Sequence, residues 1–282
     1  MTPLLKIRAE RDQMSAIERR IADFILTESH LLRDYSSQQL ADALKISQSS
    51  VVKFSQKLGF KGYPDLKYSI GESIARGDGG DGNAVPESPR HAAQAPLAEG
   101  LWHLKAQAEE ETRLINPLQA LREIAEAIDR AGKVFVIGLG EDALPARTWA
   151  LRLSLLGILA VHRTDAALIA ASLDTAKKGD VLIVLSEHGL QPSLARLSRQ
   201  FLERRCTVIS ATRHSANPLR AHATLELLVS AHDERPHIEP LLYHCALQHL
   251  LDMVFVLLCE SGTERLALLN ANLERIHNAL AP

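Results

Sequence analysis

The stretch I46-S-Q-S-S-V-V-K-F-S-Q-K-L-G-F60 decides how this chain is read. Four polar residues, Ser47 to Ser50, precede an apolar series, Val51, Phe54 and Leu58, that recurs at helical spacing. Lys53, Gln56 and Lys57 interleave with that series and must face away from it. Ser47 is placed to cap the helix, and Gly59 to end it. Just upstream, S36-S-Q-Q-L-A-D-A-L-K45 reads as another helix, with Leu40, Ala43 and Leu44 inward and the small Ala41 where two helices can cross closely. Lys45-Ile46-Ser47 is then a tight turn between two helices, the arrangement of a helix-turn-helix. In such a motif the second helix enters the major groove and its first residues meet base edges. Here those residues are Gln48, Ser49 and Ser50. Glutamine pairs bidentately with adenine, and serine donates to or accepts from several edges. Lys53, Lys57, Lys61 and Lys67 suit phosphate oxygens, and Gln56 shares their exposed face. A helical pair with a short turn also occurs in proteins that never touch DNA, and serines before an apolar run are first of all caps.

Around this centre the N-terminal part reads as short helices only. Ser15 and Glu18 form a capping box ahead of A16-I-E-R-R-I-A-D-F-I-L26, whose apolar stripe is Ile17, Ile21, Phe24 and Ile25. One more helix follows Pro64. Residues 1–77 hold twelve Lys and Arg against nine Asp and Glu, although the whole chain of 282 residues has a formal net charge of -2. The excess lies after the turn, with six basic and two acidic side chains in 43–77, and a local basic face of this kind steers toward phosphate backbones. The run from Gly77 to Gly100, rich in Gly, Pro, Asp and Ser and without any period, reads as a flexible linker. The expected organisation is therefore a DNA-binding domain over 1–77, a linker over 78–100 and a second domain over 101–282.

The second domain alternates strands and helices. V134-F-V-I137, A160-V161, V181-L-I-V-L-S186, C206-T-V-I-S-A-T212 and L225-E-L-L-V-S230 read as strands, Gly138-Leu139-Gly140 as a close turn after the first, and helical patterns separate the strands. This predicts a mostly parallel sheet with helices on both faces. Ligands of such sheets bind beyond the strand C-termini. The candidate rim is Gly138, Gly140, Glu141 and Asp142, then Arg163 and Asp165, then Ser186, Glu187, His188 and Gly189, then Thr212. The turn G138-L-G-E-D-A143 lacks the third glycine of a dinucleotide fingerprint, and neither a phosphate-binding G-x-x-x-x-G-K-[ST] loop nor a G-x-S-x-G nucleophile elbow occurs. The twelve histidines form no His-Glu-x-x-His pattern, and the three scattered cysteines suit neither a disulfide framework nor a thiolate metal site. No cofactor, metal or catalytic residue is expected. The best apolar runs, VFVIGLG and LLDMVFVLL, are short of a membrane span, and the N-terminus lacks the apolar centre of a signal peptide, so a cytoplasmic protein without a membrane partner is expected.

Both halves, in this order, resemble the RpiR/MurR family of bacterial transcriptional regulators. The resemblance is carried by S36-S-Q-Q-L-A-D-A-L-K-I-S-Q-S-S-V-V-K-F-S-Q-K-L-G-F-K-G-Y-P-D-L-K67 and, in the second half, by VFVIGLG, KKGDVLIVLS and TVISAT. It implies an all-α helix-turn-helix domain followed by an α/β SIS (sugar isomerase) domain. It also implies a homodimer or homotetramer, binding to double-stranded promoter DNA, and control of a sugar catabolic operon, as a repressor or an activator, by a small sugar-like effector, phosphorylated or not. The rim departs from the pattern of phosphosugar-binding SIS domains, which usually read G-x-G-x-S and S-x-S-G. Asp142 stands where the first serine is expected and His188 where the second is, while Ser186 and Gly189 stay. An uncompensated carboxylate against a phosphate costs about 2 to 5 kcal/mol in a partly desolvated pocket. Asp142 is also placed to cap the helix after it. The alternative function is an SIS-fold sugar-phosphate isomerase, or a sugar-binding protein without a DNA role; Glu141, Asp142, Glu187 and His188 are the groups available to such an enzyme, and none has a convincing partner.

Overall fold

The computed structural model describes residues 3–29, 32, 35–75, 97–164 and 166–281. Residues 76–96, which include most of the expected linker of 78–100, and the rim residue Asp165 lie outside these. The chain divides into two compact units, residues 1–107 and 108–282.

The first unit opens with five helices: α1 (Pro3–Glu10), α2 (Ala16–Thr27), α3 (Ser37–Ala43), α4 (Gln48–Lys57) and α5 (Tyr63–Ala75). Ser15 and Ser36 each form a capping box, with Glu18 and Gln39 respectively, so two orphan donors are satisfied at each helix start. Ser47 caps α4 by accepting from the Ser50 N–H. The apolar series of the opening stretch goes inward as expected: Val51, Phe54 and Leu58 share one core with Ile21, Ile25, Leu40, Ala41, Leu66 and Ile70. The turn between α3 and α4 closes with the Ile46 N–H on the Ala41 carbonyl, and Lys45 adopts a left-handed φ of 50°. Two details differ from the sequence reading. Ala43 is exposed, because the tight turn begins there, and Ile17 is 46% exposed at the open first turn of α2. The sequence reading also missed α1, whose Leu4 and Ile7 close the core; polar residues follow them too soon for an apolar period to show.

In the second unit α6 (Leu97–Ile115), which begins in the first, and α7 (Leu118–Asp129) precede the sheet. The expected linker of 78–100 therefore ends in a helix over Leu97–Gly100: Pro96 punctuates just before it, and nothing after Pro96 breaks a helix. The strands are β1 (Val134–Gly138), β2 (Ala160–His162), β3 (Val181–Leu185), β4 (Thr207–Arg213) and β5 (Leu225–Val229). All pair in parallel, in the order β2-β1-β3-β4-β5. Helices α8 (Ala143–Leu155), α9 (Ala166–Ser172) and α10 (Pro192–Glu203) make the crossovers, and α11 (Glu239–Glu260) and α12 (Thr263–Leu280) follow.

Strands β1 and β3 are buried along their whole length, as near-continuous Val/Ile/Leu runs require. Phe135, Ile137, Leu182, Val184 and Val208 pack with Leu194, Leu197 and Phe201 of α10. The alternate residues Val134, Val136, Ile183 and Ile209 are equally buried. By length and composition α11 could cross a membrane, since an 18-residue window has a mean hydropathy of 1.6; the short apolar runs read from the sequence understated this helix. In the fold it is a core helix, with eight residues from Leu242 to Leu258 buried.

Candidate functional site

The helix pair presents a polar surface at the start of α4. Gln48 and Ser49 are exposed and Ser50 is half-buried. The Gln48 amide donates to the Ser37 hydroxyl at 2.9 Å, and the Ser47 hydroxyl lies 2.9 Å from that of Ser49 and 2.8 Å from that of Ser50. The start of α4 is thus held in place by side chains of α3 and of its own first turn. Lys53, Gln56 and Lys61 are exposed. Lys57 pairs with Glu18 at 2.9 Å, and Lys67 donates to the Tyr35 carbonyl at 3.0 Å, so these two ammonium groups also serve the domain's own packing. Burial opposes the ionisation of Glu18, but the Ser15 N–H and hydroxyl and the Lys57 ammonium outweigh it and hold its pKa below the ordinary value.

The second region is the C-terminal edge of the sheet. After β1 the chain makes a single 3-10 turn over Gly140–Asp142. A Cβ at Gly138 would stand 2.1 Å from the Asp142 carbonyl oxygen, so only glycine lets the turn fold back this closely. Asp142 sits at the N-cap of α8 but makes no capping hydrogen bond. Its Oδ2 instead accepts from the Glu187 N–H at 3.1 Å, and so ties the turn after β1 to the turn after β3. Its Oδ1 is buried without a partner among the described residues. Burial raises the pKa of Asp142; the Glu187 N–H and the neighbouring His244 and His188 act against that rise.

Behind this turn lies a charged cluster. Arg213, 5% exposed at the end of β4, donates to Glu187 Oε1 from Nη2 at 2.6 Å and from Nε at 3.0 Å. It also donates to the Ala231 carbonyl at 2.6 Å and lies 3.2 Å from Glu239 Oε1. Its guanidinium covers the Tyr243 ring at 5.4 Å. Tyr243 is fully buried, its hydroxyl has no partner among the described residues, and burial followed by the charges of Asp142 and Glu187 pushes its pKa well up. Thr212 is turned inward: its hydroxyl donates to the Arg213 carbonyl and accepts from the Asn217 amide. Gly189, at φ 62°, packs where a Cβ would stand 2.1 Å from the Asn217 side chain. Ser186 is buried, while Gly140, Glu141, Arg163 and His188 are exposed. Arg163 donates to the His162 carbonyl.

The expected rim residues of the first, third and fourth turns are thus assembled at one edge. Arg213, Glu239, Tyr243 and His244 join them and were not chosen from the sequence. Arg213 follows T207-V-I-S-A-T212 directly, a signal that could have been used. Tyr243 and His244 are hidden in a helix that reads as apolar core. No cluster able to hold a metal ion exists among the described residues.

Capped short helices with a helix-turn-helix, followed by a five-stranded parallel sheet with a polar rim, define a two-part chain: an all-α helix-turn-helix unit and an α/β unit. Residues 1–77 match the helix-turn-helix domain of the rpiR family, and residues 127–258 match the SIS domain. The chain thus carries an rpiR-type helix-turn-helix domain followed by an SIS domain, the arrangement that matches RpiR/MurR-family regulators. It is 28% identical over 267 residues to the HTH-type transcriptional regulator YfhH of Escherichia coli K12, covering 94% of each chain. It is similar in fold to the Vibrio vulnificus NanR protein complexed with ManNAc-6P, with a TM-score of 0.60, 20% identity and full coverage of both chains. The sugar isomerase domain of an RpiR transcription factor from Sphaerobacter thermophilus matches 65% of this chain and 99% of its own at a TM-score of 0.55 and 20% identity. The Escherichia coli and Sphaerobacter proteins are named as transcription regulators.

Proposed function

We propose that this regulator reads a partly palindromic promoter site through two copies of α4, represses a catabolic operon for a sugar or sugar derivative, and releases it when a small sugar-derived metabolite binds the rim. The observation that carries the DNA reading is the exposed, self-braced start of α4, where Gln48 and Ser49 face outward ahead of a buried apolar stripe. Gln48, Ser49 and Ser50 read base edges. Lys53, Gln56, Lys57, Lys61 and Lys67 face the backbone, Lys57 and Lys67 by exchanging their internal partners for phosphate. Surface pairs such as Lys57–Glu18 are worth about 1 kcal/mol or less and give way easily. A protein that works on promoter DNA belongs in the cytoplasm, without a membrane partner.

The rim, made by Gly138, Gly140, Glu141, Asp142, Arg163, Ser186, Glu187, His188, Gly189 and Thr212, receives the effector. A sugar-derived ligand is supported by the fold it shares with the Vibrio protein, whose complex contains an N-acetylmannosamine phosphate. The effector acts by favouring one arrangement of the oligomer over another. A footprint on the intergenic DNA beside the gene, repeated with a panel of sugars and sugar derivatives, tests both halves. A protected two-fold site that fades with one metabolite is expected; no sequence preference at moderate salt would defeat the reading.

A further inference from the structure

At the C-terminal edge of a parallel sheet, the natural anion donors are backbone N–H groups in the turns after the strands, helix N-termini and nearby arginines. In this chain carboxylates already occupy two such donors. The Glu187 N–H, in the turn after β3, points at Asp142 Oδ2, 3.1 Å away. The buried Arg213 is held by Glu187 at 2.6 Å and by Glu239 at 3.2 Å. A phosphate entering here meets the negative charge of Asp142 and Glu187 in a half-buried setting, where like charges are weakly screened. What the cluster leaves open is of the opposite kind. Among the described residues Asp142 Oδ1 is a buried acceptor without a partner, and the Tyr243 hydroxyl is a buried donor and acceptor without a partner. Buried polar atoms left unmatched are rare, and each asks for a ligand or a water.

We propose that Asp142 fills the anion seat of the rim with its own carboxylate, so that the effector presents a hydroxyl or ammonium donor at this turn and not a phosphate. The inference rests on the reading of the rim as the effector site. It makes Asp142 a specificity-determining residue: an unphosphorylated polyol or amino sugar satisfies the carboxylate, whereas a phosphate dianion cannot. The raised pKa of Asp142 agrees, since a carboxylate that burial penalises gains from a donor and loses from a second anion.

The test uses the full-length chain and inorganic phosphate as the probe. Melting temperature is followed against phosphate concentration, with chloride at matched ionic strength as the reference, for wild type, Asp142→Ser and Asp142→Asn. Wild type should show no phosphate-specific shift. Asp142→Ser, which frees the Glu187 N–H and removes the charge, should gain a saturable rise of about 3 °C at concentrations well above its dissociation constant. Asp142→Asn keeps an acceptor in the seat and should gain less than the serine variant. A saturable rise in wild type as large as in Asp142→Ser overturns the proposal, and so does a folded Asp142→Ser protein that phosphate does not stabilise. Should the serine variant fail to melt cooperatively, Asp142→Ala decides by the same two criteria. Whether the rim is the effector site is read separately, from the footprint with the metabolite panel, so a failure there leaves the phosphate comparison intact and distinguishable.

Discussion

Asp142 and Arg213 show how one position sets both stability and selectivity. Burial raises the pKa of Asp142, and an acid whose folded pKa is raised weighs against the fold once it ionises. In the folded chain it binds its proton up to a higher pH than in the unfolded chain. Its penalty is therefore absent below the ordinary carboxylate range, grows as the pH rises through the window above it, and is complete at neutral pH. Asp142→Asn keeps an oxygen for the Glu187 N–H and removes the charge. We expect it to melt within about 1 °C of wild type at acid pH and about 2 °C or more above it at pH 7, where a wider margin marks a larger burial penalty. Thermal melts across the pH range check this, and a gain that shrinks as pH rises would contradict it. Arg213 is the opposite case. Its removal leaves Glu187 and Glu239 facing each other without their shared cation, so Arg213→Met should cost about 3 to 5 kcal/mol in denaturant unfolding, although the apolar volume is kept.

At the level of elements, the fold of α4 and its use separate cleanly. Ser47 caps the helix by accepting from the Ser50 N–H at 3.3 Å, so Ser47→Ala should lower stability by about 1 kcal/mol. Gln48→Ala, on an exposed position, should leave stability within about 0.5 kcal/mol and change base preference at one operator position. Lys53→Ala should weaken binding to every sequence and flatten its salt dependence. Mobility shifts over a salt series and against single-base operator variants distinguish these patterns. The helical period around Val51, Phe54 and Leu58 was legible because one face of the helix must be apolar, and the central strands β1 and β3 were legible because a doubly covered sheet demands near-continuous apolar runs. What the sequence hid are partnerships: Asp142 reads as a cap but reaches across to Glu187, and Lys57 reads as a phosphate contact but rests on Glu18. Such pairings are made by tertiary approach, which no local spacing encodes. Helix α1 escaped for a related reason, since only two of its buried residues, Leu4 and Ile7, are large and apolar, too few to show a period.

For the whole molecule, two-fold operator reading requires a two-fold protein, and α12 offers a seam for one. One side of α12 is fixed to its own chain: Arg265 donates to Asp129 at 2.8 Å, Asn272 donates to the Leu155 carbonyl at 2.9 Å, and Leu268 packs over Gly157. On another side Leu266, Leu269, Leu273, Ile276 and Leu280 follow at spacings of three and four residues, the a and d positions of a heptad. Leu266, Leu273, Ile276 and Leu280 are 47%, 48%, 43% and 79% exposed, and no residue of the helix is buried. Positions flanking the seam include Asn270, Asn272, His277 and Ala279, none of which carries a carboxylate that would repel a second copy. A self-complementary stripe of this kind closes as a two-fold pair, and leucine at a with Ile276 at one of the two d positions leaves room for four chains. Since Leu273 makes little use of its own chain, Leu273→Glu should cost the fold less than about 1 kcal/mol while placing like charges opposite one another across the seam. Sedimentation should show a dimer or tetramer for wild type and a monomer for Leu273→Glu, and operator affinity should fall by at least tenfold, because each half-site is then held by one α4 alone. A Leu273→Glu protein that sediments as wild type would place the interface elsewhere, with the exposed Leu144 and Leu151 of α8 as the next apolar face to test.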